Sequence, residues 1–233
     1  MEISRRIQDP PYGWRSAFSL TVSELAVRIT LRVQLLPQPG TGREALAKLR
    51  SEVAAGFARH FDRRYCIRTP GFRRVLWAQV CWDAPQPHLE ARVYPGTGTE
   101  TLDTWMLGLP ALAHVHELAH LLGLPDEYAR PDSPAAPSGD YSLMGHYPRE
   151  DARRADSKPR HILRLADSLA PWIGAPAMVE PLNWYVLREG DTLERIALRI
   201  CGEGHRWAEL LELNQDRIPD RFSTKPGQVI RLF

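Results

Sequence analysis

His116-Glu117-Leu118-Ala119-His120-Leu121-Leu122-Gly123-Leu124-Pro125-Asp126 holds nearly every part of a hydrolytic metal site in one short run. On a helix, His116 and His120 lie one turn apart on the same face, so both imidazoles can reach a single Zn²⁺ at roughly 2.0–2.1 Å. Glu117 stands beside them, where a carboxylate can take a proton from an attacking water and pass it to a leaving amine. Gly123, lacking a Cβ, can adopt the left-handed conformation that ends a helix and turns the chain back. The turn swings Asp126 toward the metal as a third ligand and leaves a fourth position open, the arrangement of a catalytic rather than a closed structural zinc. Adjacent Glu127 is the rival third ligand. His114 points away from the His116 and His120 face by helical geometry and is a bystander.

The pattern His-Glu-x-x-His-x-x-Gly-x-x-Asp resembles the extended zinc signature of the metzincin peptidases, in the aspartate variant of the snapalysin-like enzymes. Most metzincins carry His where Asp126 stands. Downstream, Ser142-Leu143-Met144-Gly145 resembles the Met-turn that floors the zinc ligands of that family. Some metzincins place a Tyr two residues after this Met to stabilise the oxyanion. Here His146 occupies that place and Tyr147 follows, so either is the candidate donor. The resemblance implies one catalytic Zn²⁺ on His116, His120 and Asp126, Met144 beneath it, and Glu117 as general base of a zinc endopeptidase.

The resemblance also implies an α+β domain over residues 1–177, a metzincin-like mixed sheet with the metal ligands on one helix. The chain upstream of the motif can be matched to it. Ala26 to Leu36 alternates apolar and polar residues like a half-buried strand, and Arg43 to Arg64 carries a helical stripe of Leu46, Leu49, Val53, Phe57 and Phe61. Arg74 to Trp82 and His88 to Tyr94 read as strands, and Thr104 to Leu107 as a short edge strand. In the family such an edge pairs with extended substrate, which makes Trp105 to Gly108 the candidate here. Asp126 to Lys158 is a Pro-, Asp- and Ser-rich rim loop, and His161 to Trp172 returns to a helical stripe. Prolines at 176 and 181 then suggest a linker, taken as residues 178–182.

Residues 183–233 resemble a LysM module of βααβ form. Trp184 to Val186 leads into Gly190-Asp191-Thr192, where Asp191 or Thr192 can cap the first helix. A second helix runs from about Arg206, and Val229 to Leu232 closes the fold. The stretch Gly202 to Trp207 looks more like LysM versions of phage tails and contractile injection machines than like short cell-wall repeats. Cell-wall LysM modules bind N-acetylglucosamine polymers between two loops, which maps the groove onto Gly190, Asp191, Thr192, Asn214 and Ile218. Docking to a protein partner, such as an injection-system or phage-tail component, is the alternative.

With 30 Lys and Arg against 28 Asp and Glu, the formal charge of +2 gives no argument for nucleic acid. No apolar run is long enough for a bilayer, and the N-terminus lacks the apolar core of an export signal. Cys66, Cys81 and Cys201 read as reduced thiols, with Cys66 to Cys81 the one plausible bridge. These features suggest a bacterial protein made in the cytoplasm and delivered to the periplasm, cell envelope or a target cell by a secretion machine, as an effector or accessory factor. Its expected substrate is the stem peptide of peptidoglycan, with a protein substrate close behind, and its further expected partner is a cognate immunity or inhibitor protein. The rival class is a LysM-centred binding component of a particle, with an inactive zinc site.

Overall fold

The chain adopts a mixed α/β fold in a computed structural model that describes residues 1–9, 12–127, 140–145, 154–201 and 203–232. β1 (Glu2–Asp9) and β2 (Tyr12–Val22) form an antiparallel hairpin, and β2 pairs with the first half of β3 (Ala26–Pro37). In β3 the aliphatic residues Ile29, Leu31, Val33 and Leu35 are buried and alternate with half-buried polar ones, the period expected of a strand. α1 (Arg43–Phe61) follows and buries Leu49, Val53, Phe57 and Phe61 at helical spacing. Its last residue is Phe61, three residues earlier than the expected end at Arg64, because Tyr65 already enters the next strand.

β4 (Tyr65–Thr69), β5 (Phe72–Trp82), β6 (Leu89–Tyr94) and β7 (Thr104–Met106) complete the approach to α2 (Ala111–Leu121). The strand order is β1-β2-β3-β5-β4, with β6 parallel to the far half of β3 and β7 parallel to β6. The expected helix over 161–172 is two helices, α3 (Pro159–Ser168) and α4 (Ala170–Ile173). The break falls at Leu169, two residues before Pro171, whose ring lacks the donor that a continuous helix needs.

Residues expected as a linker are instead the outer strand of the sheet: β8 (Met178–Pro181) pairs antiparallel with β4. Pro181 sits at the strand's last position, and Glu180 receives Arg68 and Arg73 at 2.7 and 2.9 Å. The remaining elements are β9 (Asn183–Val186), α5 (Leu193–Cys201), α6 (Trp207–Leu213) and β10 (Val229–Leu232), the βααβ order read from the sequence.

The strand alternation of β5 divides it between two cores. Leu76 and Ala78 join the large core shared with α1, α2 and α3, whereas Val75 is buried in the core of the C-terminal module and Trp77 packs against that core. Arg63 reaches Asp216 at 2.6 Å and Arg28 pairs with Glu212, while both guanidiniums lie against the Trp77 ring at 4.4 and 4.1 Å. Cys66 and Cys81 are both free, and burial pushes the Cys66 thiol up to about 11. Among the described residues, no helix is long and apolar enough to cross a membrane.

Candidate functional site

α2 begins after Pro110 and runs through an apolar stretch that buries Val115, Leu118, Ala119 and Leu121. The opposite stripe presents His116 and His120, whose rings stand edge to face at 4.9 Å. Gly123 takes φ +86°, and the amides of Leu122 and Gly123 close onto the carbonyls of Ala119 and His120. The chain therefore reverses at the position the sequence predicts, and Asp126 returns over the helix. Its Oδ1 lies 3.0 Å from His116 Nε2 and 3.5 Å from His120 Nε2, and the three donor atoms all fall within 4.8 Å of one another. Donors held at about 2.05 Å in a tetrahedron are about 3.3 Å apart, so the spacing suits a small cation.

Both imidazoles are oriented from behind. His116 Nδ1 is 3.0 Å from the Leu143 carbonyl and His120 Nδ1 is 2.7 Å from the Leu124 carbonyl, contacts that place the ring proton on Nδ1 and leave each Nε2 facing Asp126. Backbone acceptors of this kind fix the tautomer of a metal-binding histidine. Burial alone would depress the His116 imidazolium, but Asp126, Glu117 and the Leu143 carbonyl outweigh it and raise its pKa above the ordinary value. A cation at the three donors would take the place of that proton. Burial raises Glu117 to about 7, with His116 opposing and the carboxylates of Glu100 and Asp126 adding to the rise.

Glu127 is committed elsewhere. It accepts from Ser142 Oγ at 2.5 Å, receives Arg160 at 2.9 and 2.7 Å, and its Oε1 lies 3.2 Å from His161 Nε2. Burial acts to raise its carboxyl, but these partners hold it well below the usual range. Its backbone N–H also donates to the Met144 carbonyl at 2.7 Å. Glu127 thus ties the segment after the helix to the loop that carries Met144, which is fully buried in the large core. His146 and Tyr147 lie outside the described residues. His114 is buried away from the donor face, 2.7 Å from Glu100 Oε1 but out of alignment for a hydrogen bond.

The N-terminal hairpin is a support that sequence reasoning missed. Trp14 Nε1 donates to the His120 carbonyl at 2.6 Å with its ring 5.0 Å from the imidazole, and Ser16 Oγ donates to the Leu121 carbonyl at 2.7 Å. The only hint was the spacing of Ser16, Phe18 and Leu20, buried on one face of β2. The edge expected to receive substrate is largely taken. Thr104 exchanges both backbone hydrogen bonds with Thr101, and the Met106 carbonyl accepts from Leu109.

In the C-terminal module, Gly190 takes φ +77° and Thr192 Oγ1 caps α5 by accepting the Arg195 amide at 3.2 Å. Asp191 turns the other way, accepting from Arg188 N and Tyr185 Oη at 2.8 Å each. The expected groove residues on the second loop do not face solvent. Asn214 is buried and spends its side chain on Leu210 O, Arg231 O and Arg231 N, and Ile218 is in the module core. Both are structural, because a loop that must close over α6 and β10 needs its polar and apolar groups inward. No curated protein and no solved structure matches the chain. Residues 185–233 match the family model of the LysM domain, and this segment of the chain is a LysM domain.

Proposed function

We propose that this chain is a zinc-dependent endopeptidase of metzincin-like design that cuts the stem peptides of peptidoglycan, with its LysM domain holding the glycan. The observation that carries the reading is the convergence of His116 Nε2, His120 Nε2 and Asp126 Oδ1, with both Nδ1 atoms turned to carbonyls and Glu117 alongside on α2. Zinc, when bound, supplies Lewis acidity that polarises the scissile carbonyl and acidifies the attacking water. Glu117 takes the proton from that water as general base and returns it to the amine of the leaving half. Its buried carboxyl, raised toward neutrality, is matched to both transfers. Leu143 O and Leu124 O keep the two imidazoles in one tautomer, and Glu127 holds the Met144 loop in register with α2. Delivery to the envelope by a contractile injection machine or phage-like particle belongs to the same reading.

The test is metal analysis of the purified chain, followed by digestion of sacculi and of casein by wild type and Glu117→Gln. Stoichiometric zinc with fragment release that the variant abolishes is expected. Casein cleavage without muropeptide release would move the substrate to protein. Zinc with no cleavage of either would remove the peptidase.

A further inference from the structure

We propose that the cavity between the end of α1 and the start of α2 binds the C-terminal residue of a peptide, an N-acylated amino acid held by its carboxylate and its amide N–H. This site is separate from the peptidase reading and uses none of the metal donors. The cavity has a volume of about 280 Å³, just below the roughly 300–1,000 Å³ of sites that take drug-sized ligands and suited to one residue-sized group. Its polar side chains among the described residues are Arg59 and His60. The rest of the lining is small or apolar, including Gly56, Ala111, Leu112 and Ala155.

His60 supplies an acceptor. The residue is only 3% exposed, and its Nδ1 lies 3.0 Å from Asp156 Oδ1. Arg64 fixes both oxygens of that carboxylate at 2.6 and 2.9 Å. In a neutral imidazole the carboxylate draws the ring proton to Nδ1 and leaves a lone pair on Nε2. Asp156 lies outside the cavity lining, so Nε2 is the ring nitrogen left to face it. Among the described residues Nε2 has no hydrogen-bond partner, yet it is not sealed from solvent. Buried polar groups are nearly always paired, so an acceptor kept open at the wall of a cavity points to a donor that arrives with a ligand.

The opposite wall supplies donors. α2 starts after Pro110 with no side-chain cap and no acidic residue in its first turn. The Ala113 amide reaches the Pro110 carbonyl, whereas the amides of Ala111 and Leu112 have no acceptor among the described residues. Free amides at the positive end of a helix favour an anion. The carbonyl end of α1 alongside does not serve them, because Ala58 O, Arg59 O and His60 O already accept from Asp62 N, Arg64 Nη1 and Ser157 Oγ. Arg59 is exposed, and its guanidinium makes no ion pair or side-chain hydrogen bond among the described residues. No described carboxylate lines the cavity to compete with an incoming one. Acetate would answer these donors but not His60, and a peptide amide would answer His60 but not the donors. The last residue of a peptide answers both, with its side chain against the small apolar wall.

The experiment titrates the full zinc-loaded chain with N-acetylalanine, N-acetylalaninamide and acetate, following the carbon-bound imidazole protons of His60 by NMR. Arg59→Ala is titrated in the same way, since that side chain is exposed and supports no core contact. Saturable movement of the His60 signals with N-acetylalanine is expected, with Kd about tenfold or more higher for each of the other two probes and for N-acetylalanine in the variant. Equal binding of N-acetylalaninamide would overturn the carboxylate, and equal binding of acetate would overturn the N–H contact to His60. An unchanged Kd in Arg59→Ala would overturn the guanidinium as its partner. His60 signals that no probe moves would overturn the site itself, whether or not the chain cleaves peptides.

Discussion

Asp126 and Glu127 are neighbours in sequence with separate environments, and replacing each by its amide pulls those environments apart. Asp126 Oδ1 lies 3.0 and 3.5 Å from the two Nε2 atoms, so Asp126→Asn removes the one anionic donor of three. Outer partners of metal ligands typically contribute about 10–100-fold to affinity, so loss of a ligand itself is expected to cost at least about 100-fold. Glu127 instead accepts from Ser142 and Arg160, with its side chain 21% exposed but that of Arg160 42% exposed. Charge-assisted hydrogen bonds contribute about 1.5–3 kcal/mol, and partial solvent screening of Arg160 sets the loss in Glu127→Gln near 2 kcal/mol. In a chain of this size that is a fall of roughly 4–8 °C in Tm. Zinc affinity by competition with a chromophoric chelator, and thermal unfolding without metal, give both quantities on the same two variants. The expected pattern is lost affinity in Asp126→Asn and lost stability with retained affinity in Glu127→Gln. Zinc loss in Glu127→Gln, with full affinity in Asp126→Asn, would refute the assignment of the third donor.

The stability gap between wild type and Glu127→Gln should also depend on pH. Because the folded carboxyl is held below its ordinary value, the gap is fully present above about pH 4.5 and shrinks as pH falls through the folded value, which denaturant titrations from pH 7 to pH 3 would reveal. For peptide cleavage, Glu117 must be ionised, so kcat/KM should rise with pH along an acid limb. Its midpoint is expected above 4.5 and no higher than about 7, since a bound dication pulls the carboxyl down from the value set by burial; a midpoint outside that window would exclude Glu117 as the base. Gly123→Ala places a Cβ at φ +86°, 2.7 Å from the flexible tip of Arg5. It should destabilise the fold by about 1–2 kcal/mol in chemical denaturation, and a neutral effect would argue against the left-handed turn.

The cluster of three candidate metal donors was legible because its determinants are local. Helical spacing fixes His116 and His120, and one glycine with positive φ fixes the reversal that returns Asp126. The choice between Asp126 and Glu127 was not local, since it depends on Arg160 and His161, over thirty residues away, drawing Glu127 aside. Strands with strict alternation, such as β3, and the apolar stripe of α1 were likewise readable. The N-terminal hairpin was not, because Arg5 interrupts the inward face of β1 between Ile3 and Ile7 and its role emerges only where Trp14 meets His120. Prolines at 176 and 181 suggested a linker, yet an edge strand tolerates a proline where no ladder donor is required, and β8 uses that freedom. In the LysM domain the element order followed from cap and strand signals. The inward facing of Asn214 and Ile218 did not, because it depends on contacts across the finished module.

Val75 belongs by chain position to the large sheet and by burial to the LysM core. A module inherited as a bead on a string could be exchanged for another by recombination at its boundary, but here the seam runs through the back of β5. A foreign module joined at residue 182 would leave Val75 and Trp77 uncovered, and Arg28 and Arg63 without Glu212 and Asp216. The two units are thus constrained to change together: a substitution on one side of the seam sets which residues the other side can accept, and the ancestry of the LysM domain is tied to that of the sheet beneath it.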